Sequence, residues 1–519
     1  MGYDMKYLQC LFLLCCCMAA TVQAQDYYQS DSILRYSASE QHIDFLLTHP
    51  TLLWDSTQMK GFGVADIHYQ SKRNDFRTAQ TEREEQTAVF EARGYNKIGS
   101  RIYVSGAFQF RKAWQDSLAY ALRGPQLDGM PTYYFVPKAG TFERQIYQAT
   151  AHVGYALKPN KWRTDLQMDY LHHWATRSVD PRMEHYTMQL VLKPSLSHRI
   201  GALQTTIQGI WGYSNAQTNL SYKHSPYTYG SAFPEYHYRT SYGYGNISLA
   251  LDSGDMRQYD HHQGIALLGK TRKDHWELLW HGEYLHTQQN STNDQRRMVD
   301  YFVKQKFSLD AFRFSFLGIH HRTNPFAIQL SAEYKQGEDF HSNMRRKNYL
   351  LQQSHALIGF TKTLQPESRL PKEFGMETII TYDERTDGST SHYMQRTWMD
   401  LGLPMALTYV LPAKNRIRWA FRPSYRVSLH DELNIPATQL NIFSTGVAYP
   451  EHYYYGTNAL SLQTRLAYID RTSMKNYTIG WYIDFGWTRP ASYHGEIYPG
   501  TLYYRGNNTA LQLGINFYL

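Results

Sequence analysis

The last residues of the chain, Thr509–Leu519, read T-A-L-Q-L-G-I-N-F-Y-L. Every second side chain in this stretch is apolar: Leu511, Leu513, Ile515, Phe517 and Leu519. The positions between them are Ala510, Gln512, Gly514, Asn516 and Tyr518. Because successive side chains of a β-strand point to opposite faces, the pattern predicts a terminal strand with one apolar face. A free edge would expose unpaired backbone groups, so we expect this strand to pair with the first strand and close a barrel.

The same alternation recurs along the chain, in segments of about 10–14 residues, close to the roughly 9–11 that a bilayer-crossing strand needs. In segment 477–488, for example, the apolar set is Tyr477, Ile479, Trp481, Ile483, Phe485 and Trp487. Strands of globular proteins average only about 5–6 residues. We therefore predict an all-β fold, a transmembrane antiparallel up-and-down β-barrel of roughly 18–20 strands.

The composition agrees with a barrel in a membrane. Mean hydropathy is -0.56, as polar as a soluble enzyme, because an alternating pattern cancels in any average along the chain. The 44 tyrosines and 11 tryptophans are typical of membrane–water boundaries, although a soluble all-β protein would also be rich in aromatics. The net charge of +8 weakly favours anionic partners, and the dispersed basic residues do not predict nucleic-acid binding.

The N-terminal sequence indicates that the chain has three parts. Residues 1–24 have a basic Lys6, an apolar run from Leu8 to Ala20 and a small-residue cleavage site, as in a secretory signal peptide. All four cysteines lie in this segment, so the mature chain has no disulfide and no thiolate site. Residues 25–58 have a weak helical period that Pro50 ends, which predicts a periplasmic or lumen-inserted segment. The barrel is expected over residues 59–519.

The connections between the alternating segments fall into two classes. Short turns are expected at Lys158–Lys161, Lys193–Ser195, Pro412–Asn415 and Asp470–Asn476. Long polar loops are expected at Lys112–Gly140, Ser214–Pro234, Glu338–Lys347, His430–Thr438 and Pro490–Asn508. Short turns on one side and long loops on the other are typical of outer-membrane barrels. Between Asp252 and Pro325 the alternation does not resolve into inner and outer faces.

Several stretches resemble the large outer-membrane barrels of the Bacteroidota, and in particular an uncharacterised family of about this length. These stretches are Val22–Gln25, Gly61–Val64, Gly140–Tyr147, Asp180–Arg182 and Gly514–Leu519. The resemblance implies an outer-membrane location and insertion by the barrel-assembly machinery, which would read Gly514, Ile515, Phe517, Tyr518 and Leu519. It implies no catalytic residues, because the family has no established activity.

Little in the sequence points to chemistry. Neighbouring histidines on a strand point to opposite faces, so the pairs His172-His173, His261-His262 and His320-His321 do not form chelating units. No metalloprotease, calcium-loop or serine-hydrolase motif occurs. We therefore expect no catalytic residues, no metal and no cofactor, and classify the chain as a non-enzyme.

One set of polar residues is a candidate binding feature. Arg418, Arg422 and Arg426 share the polar face of one strand, and Arg465 lies on the polar face of a later strand. In a water-filled lumen such a basic ladder would attract small anions. The alternative is that inward carboxylates pair with these arginines and the charges are structural.

Three functions are compatible with this barrel. The first is a channel or accessory barrel for solute passage, with outer-membrane lipid as its surroundings and a small anionic solute as cargo. The second is a plugged barrel that acts as a surface scaffold or adhesin, or as the partner of another outer-membrane transport or secretion component. The third is a membrane-embedded hydrolase.

Overall fold

The computed structural model describes residues 37–55, 61–124, 129–228, 232–249, 255–292, 303–322, 324–474, 477–493 and 495–519. The described chain begins with helix α1, Ser37–Thr48, followed by a 3-10 helix, Pro50–Asp55. The helical period expected before Pro50 is therefore confirmed. The predicted signal peptide lies outside the described residues, and the three-part domain division stays a prediction.

Most of the chain is β-strand. The strands are β1 Gly61–Asn74, β2 Glu84–Ile98, β3 Ile102–Leu118, β4 Thr132–Phe135, β5 Gly140–Lys158, β6 Trp162–Arg177, β7 Arg182–Ile200, β8 Leu203–Ser221, β9 Arg239–Tyr242, β10 Ile247–Leu249, β11 Asp255–Lys273, β12 Trp276–Thr292, β13 Gln305–His320, β14 Phe326–His341, β15 Tyr349–Leu364, β16 Lys372–Asp387, β17 His392–Gly402, β18 Met405–Val410, β19 Arg416–Asn434, β20 Thr457–Asp470, β21 Thr478–Tyr493 and β22 Asn508–Tyr518. A second helix, α2, spans Tyr449–Gly456 after a π-helical turn at Ser444–Ala448. Short 3-10 helices lie at Ser225–Tyr227, Pro234–Tyr236, Pro412–Lys414 and Ala437–Gln439.

The long strands form one closed antiparallel sheet. The last strand pairs with the first, from Val64 opposite Tyr518 to Asn74 opposite Asn508. Strands β17 and β18 both pair with β16 and β19, so together they fill one strand position of the barrel wall. We call each such position a stave. This stave is interrupted next to Pro404, which has no N–H to donate. The barrel therefore has 18 staves, and the predicted closed up-and-down barrel is confirmed.

The two faces of the terminal strand are those expected from its alternation. Leu511 and Leu513 face outward and are 44% and 50% exposed. Between them, Gln512 faces the lumen, where its Nε2 donates to the Tyr482 hydroxyl at 3.1 Å and its Oε1 accepts from Gln70 at 3.2 Å. Large exposed apolar side chains recur on other staves, among them Ile67, Leu166, Ile207, Ile358 and Leu466. An apolar exterior on a closed, even-stranded barrel places the chain in the outer membrane.

The two ends of the barrel differ. The first residue of β1 and the last residue of β22 lie at the rim of the barrel that has the short connections. The long connections lie at the opposite rim. Two of the long loops fold together there, because β4, β9 and β10 form a separate three-stranded antiparallel sheet. Among the described residues, no helix has the length and apolar character needed to cross a membrane.

The strands are longer than expected. They run into the expected loops, with β3 reaching Leu118, β8 Ser221, β14 His341, β19 Asn434 and β21 Tyr493. The expected turn at Lys193–Ser195 is wrong, because β7 continues through it and turns only after Ile200. Pro194 reads as a turn residue, but here it only leaves a gap in the β7–β8 ladder between Leu192 and Ser195.

Candidate functional site

The short-turn end of the lumen contains α1, which is held by polar contacts to several sides of the wall. Arg418 Nη1 on β19 lies 2.9 Å from the Glu40 carboxylate, and the Ser37 N–H donates to Glu373 on β16 at 2.8 Å. On other staves, Glu277 of β12 contacts His42 at 3.2 Å and Arg93 of β2 contacts Asp44 at 2.8 Å. Because these staves lie far apart around the barrel, the contacts hold α1 across the lumen.

An apolar cluster also holds α1 and the following 3-10 helix against the barrel wall. Ile43, Leu46, Leu52 and Leu53 pack with inward side chains of β11 to β13 and β14, namely Ala266, Leu268, Leu279, Leu317, Ile319 and Ala327. The lumen face of these strands is therefore apolar here, as is the lipid face, where Phe312 and Phe314 are 51% and 44% exposed. Two apolar faces give no alternation at these positions, most of which lie within the range Asp252–Pro325 where the sequence did not resolve.

The four arginines of the predicted basic ladder all face the lumen and all have partners. Arg418 contacts Glu40 and Glu373, Arg422 Nη2 lies 2.9 Å from Glu377, and Arg465 Nε lies 2.6 Å from Asp484. Arg426 donates to the carbonyls of Tyr454 and Thr457 at 2.8 and 3.0 Å. Three of the four are thus paired with carboxylates, as the alternative interpretation has it. An anion path along them stays a prediction.

A cavity of about 480 Å³ lies beside α1, and we call it the lower cavity. Its charged lining consists of Arg422, Arg465, Glu373, Glu377 and Asp484. Every one of these side chains takes part in an ion pair with an inward group. The lower cavity therefore has little unpaired charge to offer a ligand.

The long-loop end is narrowed by a second infolded segment. Phe443, Val447 and Ala448, which precede α2, pack with Tyr244 from the β9–β10 turn. The same cluster includes strand side chains of the wall: Phe307, Tyr349, Leu351 and Met394. Loops from two parts of the chain thus reach into the lumen and are anchored there by buried apolar contacts.

Between these loops and the wall lies a second cavity of about 420 Å³, the upper chamber. Its cationic lining is Arg77, Arg123, Lys335, Arg385 and Arg396. Its carboxylates are Glu333, Asp383 and Glu451. Five cations against three carboxylates leave the chamber with a positive surplus.

Two of the chamber arginines share one buried carboxylate. Asp383 Oδ2 lies 2.9 Å from Arg385 Nη2 and 2.5 Å from Arg396 Nη2. The Arg396 guanidinium also stacks on Tyr455 at 3.7 Å from the ring centre, and its Nη1 lies 3.6 Å from Glu451. These guanidiniums are therefore fixed parts of the wall.

Arg77 and Arg123 are different, because neither has a carboxylate within 4.0 Å among the described residues. Arg77 is 8% exposed, stacks on Tyr504 at 4.0 Å and donates to the Thr81 carbonyl at 2.7 Å. Arg123 stacks on Tyr133 at 4.4 Å. The Nε atoms of both have no hydrogen-bond partner in the described structure, and burial lowers the pKa of Arg77. Sequence reasoning missed both because they lie in loops, where strand alternation has no meaning.

No group of three or more His, Cys, Asp and Glu side chains is arranged to hold a metal within the described part of the chain. The chamber is lined by guanidiniums, carboxylates, amides, hydroxyls and aromatic rings, and its guanidiniums and amides can bind anions and flat polar molecules.

No match was found among curated protein sequences. Solved structures that share the barrel layout include the outer membrane transporter YddB of Escherichia coli, with TM-score 0.39 and 7% identity over 88% of this chain and 80% of that one. The FrpB iron transporter of Neisseria meningitidis aligns with TM-score 0.38 and 9% identity over 90% and 83%. The ferripyoverdine receptor of the Pseudomonas aeruginosa outer membrane aligns with TM-score 0.41 and 9% identity over 89% and 72%.

A family profile matches residues 50–519, which is the whole barrel. The chain belongs to this family, the family of unknown function DUF6850.

Proposed function

We propose that this outer-membrane barrel passes a small solute, and that residues 37–55 close its short-turn end at rest. The proposal is supported by one observation above all, the way in which α1 lies across the lumen. It is attached by ion pairs and hydrogen bonds, such as Glu40 with Arg418 and Asp44 with Arg93, and by the apolar cluster, rather than by a continuous backbone sheet. Contacts of this kind can separate and re-form without unfolding the wall.

The lumen above α1 also supports passage. The upper chamber and the lower cavity lie within the same barrel, one towards each end, and both are lined by charged and amide side chains. Solutes would enter between the infolded loops and leave past α1.

Planar-bilayer conductance tests the proposal. In the Glu40→Lys, Asp44→Lys variant, each new lysine would face Arg418 or Arg93, so the repulsion should release α1 and raise the single-channel current several-fold. A matched control is Glu338→Lys, which reverses an exposed carboxylate that pairs with Lys347 at the long-loop end. It should leave the current unchanged.

A second candidate is the scaffold or the partner of a transport or secretion component. It is favoured by an aromatic cluster at the long-loop end, where Tyr227 and Tyr236 stack at 4.0 Å and the neighbouring Phe233 is 37% exposed. If neither the wild type nor the lysine variant conducts while the barrel remains folded, the passage proposal fails and this role takes its place. Hydrolase activity has no supporting observation here.

The final strand supports a role in insertion. Ile515 and Phe517 alternate in step with Leu511, which is 44% exposed, and Tyr518 packs towards the α1 cluster. Leu519 exchanges backbone hydrogen bonds with Gly63 at 2.8 and 3.2 Å, next to the closing seam. Together with Gly514, these residues form the signal that we assign to the barrel-assembly machinery. The Bacteroidota origin likewise stays an expectation from resemblance.

A further inference from the structure

Two side chains account for the net positive charge of the upper chamber. Lys335 Nζ pairs with Glu333 at 2.8 Å, and Arg385 and Arg396 share Asp383. Once these pairs are set aside, Arg77 and Arg123 are the chamber cations without a carboxylate partner in the described structure. Unpaired charge held away from bulk water is costly, and an anion that enters the chamber would remove that cost.

Both guanidiniums are held in place before any ligand arrives. Each lies against a tyrosine ring, Arg77 on Tyr504 and Arg123 on Tyr133. Gln80 connects their loops, since its Nε2 donates to the Tyr133 hydroxyl at 2.9 Å and its Oε1 lies 3.5 Å from Arg123 Nη2. A planar guanidinium fixed in this way matches the two oxygens of a carboxylate, and little side-chain entropy remains to be lost on binding.

The rest of the chamber suits the organic part of such a ligand. Tyr349, Trp398 and Phe443 line it, together with Tyr244. The volume of about 420 Å³ lies within the range of small-molecule sites, roughly 300–1,000 Å³. Inorganic anions would leave this aromatic wall in contact with water alone.

We propose that the upper chamber binds a small organic carboxylate, with Arg77 and Arg123 contacting the carboxylate group and the aromatic wall packing against the apolar part. This assignment names the solute class of the passage function proposed above. Binding is measured without any current, so the two proposals fail separately.

Isothermal titration calorimetry on the detergent-solubilised full barrel tests the assignment. Phenylacetate is the probe, phenylacetamide is its uncharged counterpart, and acetate and inorganic sulfate lack the ring. We expect saturable binding of phenylacetate. Phenylacetamide should bind at least about tenfold more weakly because it loses the charge-assisted hydrogen bonds. Acetate and sulfate should also bind at least about tenfold more weakly, because they have no ring to bury against the aromatic wall.

Variants locate the site. Arg77→Gln and Arg123→Gln should each weaken phenylacetate binding about tenfold, whereas Arg77→Lys should retain part of it, because a point charge remains but the planar fork is lost. Arg182→Gln is the matched control, because Arg182 is exposed and does not line the chamber, and it should bind as the wild type does. Circular dichroism establishes that each variant keeps its β-structure.

Three results would overturn the assignment. The first is equal binding of phenylacetamide, which removes the carboxylate. The second is equal binding of sulfate or acetate, which removes the organic part. The third is the absence of phenylacetate binding, or its persistence in both glutamine variants. Binding without conductance would refute only the passage function, and conductance without binding would refute only the carboxylate site.

Discussion

The upper chamber and the lower cavity lie in one lumen and have similar volumes, about 420 and 480 Å³, yet their charges are arranged in opposite ways. In the lower cavity the charges lie on strands and are paired. Arg465 and Asp484, for example, are direct cross-strand partners on β20 and β21. In the chamber the unpaired charges, Arg77 and Arg123, come from loops. Strand register matches opposite charges, and loops are free of that constraint.

A glycine completes the pairing in the lower cavity. Arg422 on β19 and Glu377 on β16 are separated by the β17 stave, where Gly402 lies opposite Glu377. A methyl group on Gly402 would come within 3.0–3.2 Å of the Arg422 guanidinium. The missing side chain is therefore what lets Arg422 reach across a whole stave, and the pair depends on three strands at once.

The largest expected effect comes from the fixed charges of the chamber wall. In Asp383→Ala, Arg385 and Arg396 lose their shared carboxylate and face each other in the interior, where Asp383 and Arg396 are each 3% exposed. Loss of one partner from a buried ion cluster costs about 3–5 kcal/mol. Chemical unfolding in detergent measures the change in the free energy of unfolding.

Asp484→Ala is the matched change in the lower cavity. Its partner Arg465 has a side chain that is 51% exposed, so the cost should be about 1 kcal/mol or less. Equal losses in the two variants would contradict the distinction between a buried chamber wall and a solvated lower cavity.

An intermediate effect is expected at Gly402. In Gly402→Ala the new methyl group displaces the end of Arg422 and loosens its pair with Glu377, which should cost about 1 kcal/mol. Gly282→Ala on β12 is the control, because its methyl group would meet no atom within 4 Å. The midpoints of urea unfolding compare the two, and a midpoint for Gly402→Ala no lower than that of the control would refute the reach-across role.

The smallest expected effect is the pH dependence of the stability that residues 37–55 gain by packing against the barrel wall. His49 stacks on His281 at 4.2 Å between ring centres, and burial, with His281 and Lys193 nearby, lowers the pKa of His49 well below 6.5. In the folded protein the imidazole of His49 is therefore neutral. The contribution of neutral His49 to the free energy of unfolding is complete above pH 6.5 and is lost as the pH falls below that value.

His49→Phe should keep the stack and reduce this loss. Unfolding midpoints from pH 8 to pH 5 should fall less steeply in the variant than in the wild type. Parallel pH profiles for the two proteins would show that His49 does not carry the acid sensitivity.

Sequence reasoning worked where a residue's environment follows from its place on a strand. Leu511 and Leu513 face lipid and Gln512 faces the lumen, as the alternation predicts. It failed where a local signal was overruled or cancelled. Pro194 reads as a turn but lies within β7, and the strands around Leu279 and Leu317 lost their alternation because α1 covers their lumen face.

The arginines show the same division. Arg418, Arg422, Arg426 and Arg465 were placed correctly on the polar face, but only the tertiary structure supplied their partners. Glu40 lies 378 residues before Arg418 in the chain, and no spacing rule connects them.

The sequence by itself determined the strands, their two faces and the closed barrel, because side-chain alternation is a local consequence of backbone geometry and lipid tolerates only one face. Only the tertiary structure decided which charges stay unpaired. That outcome depends on which loops and which N-terminal segment fold into the lumen, and on the staves they meet there.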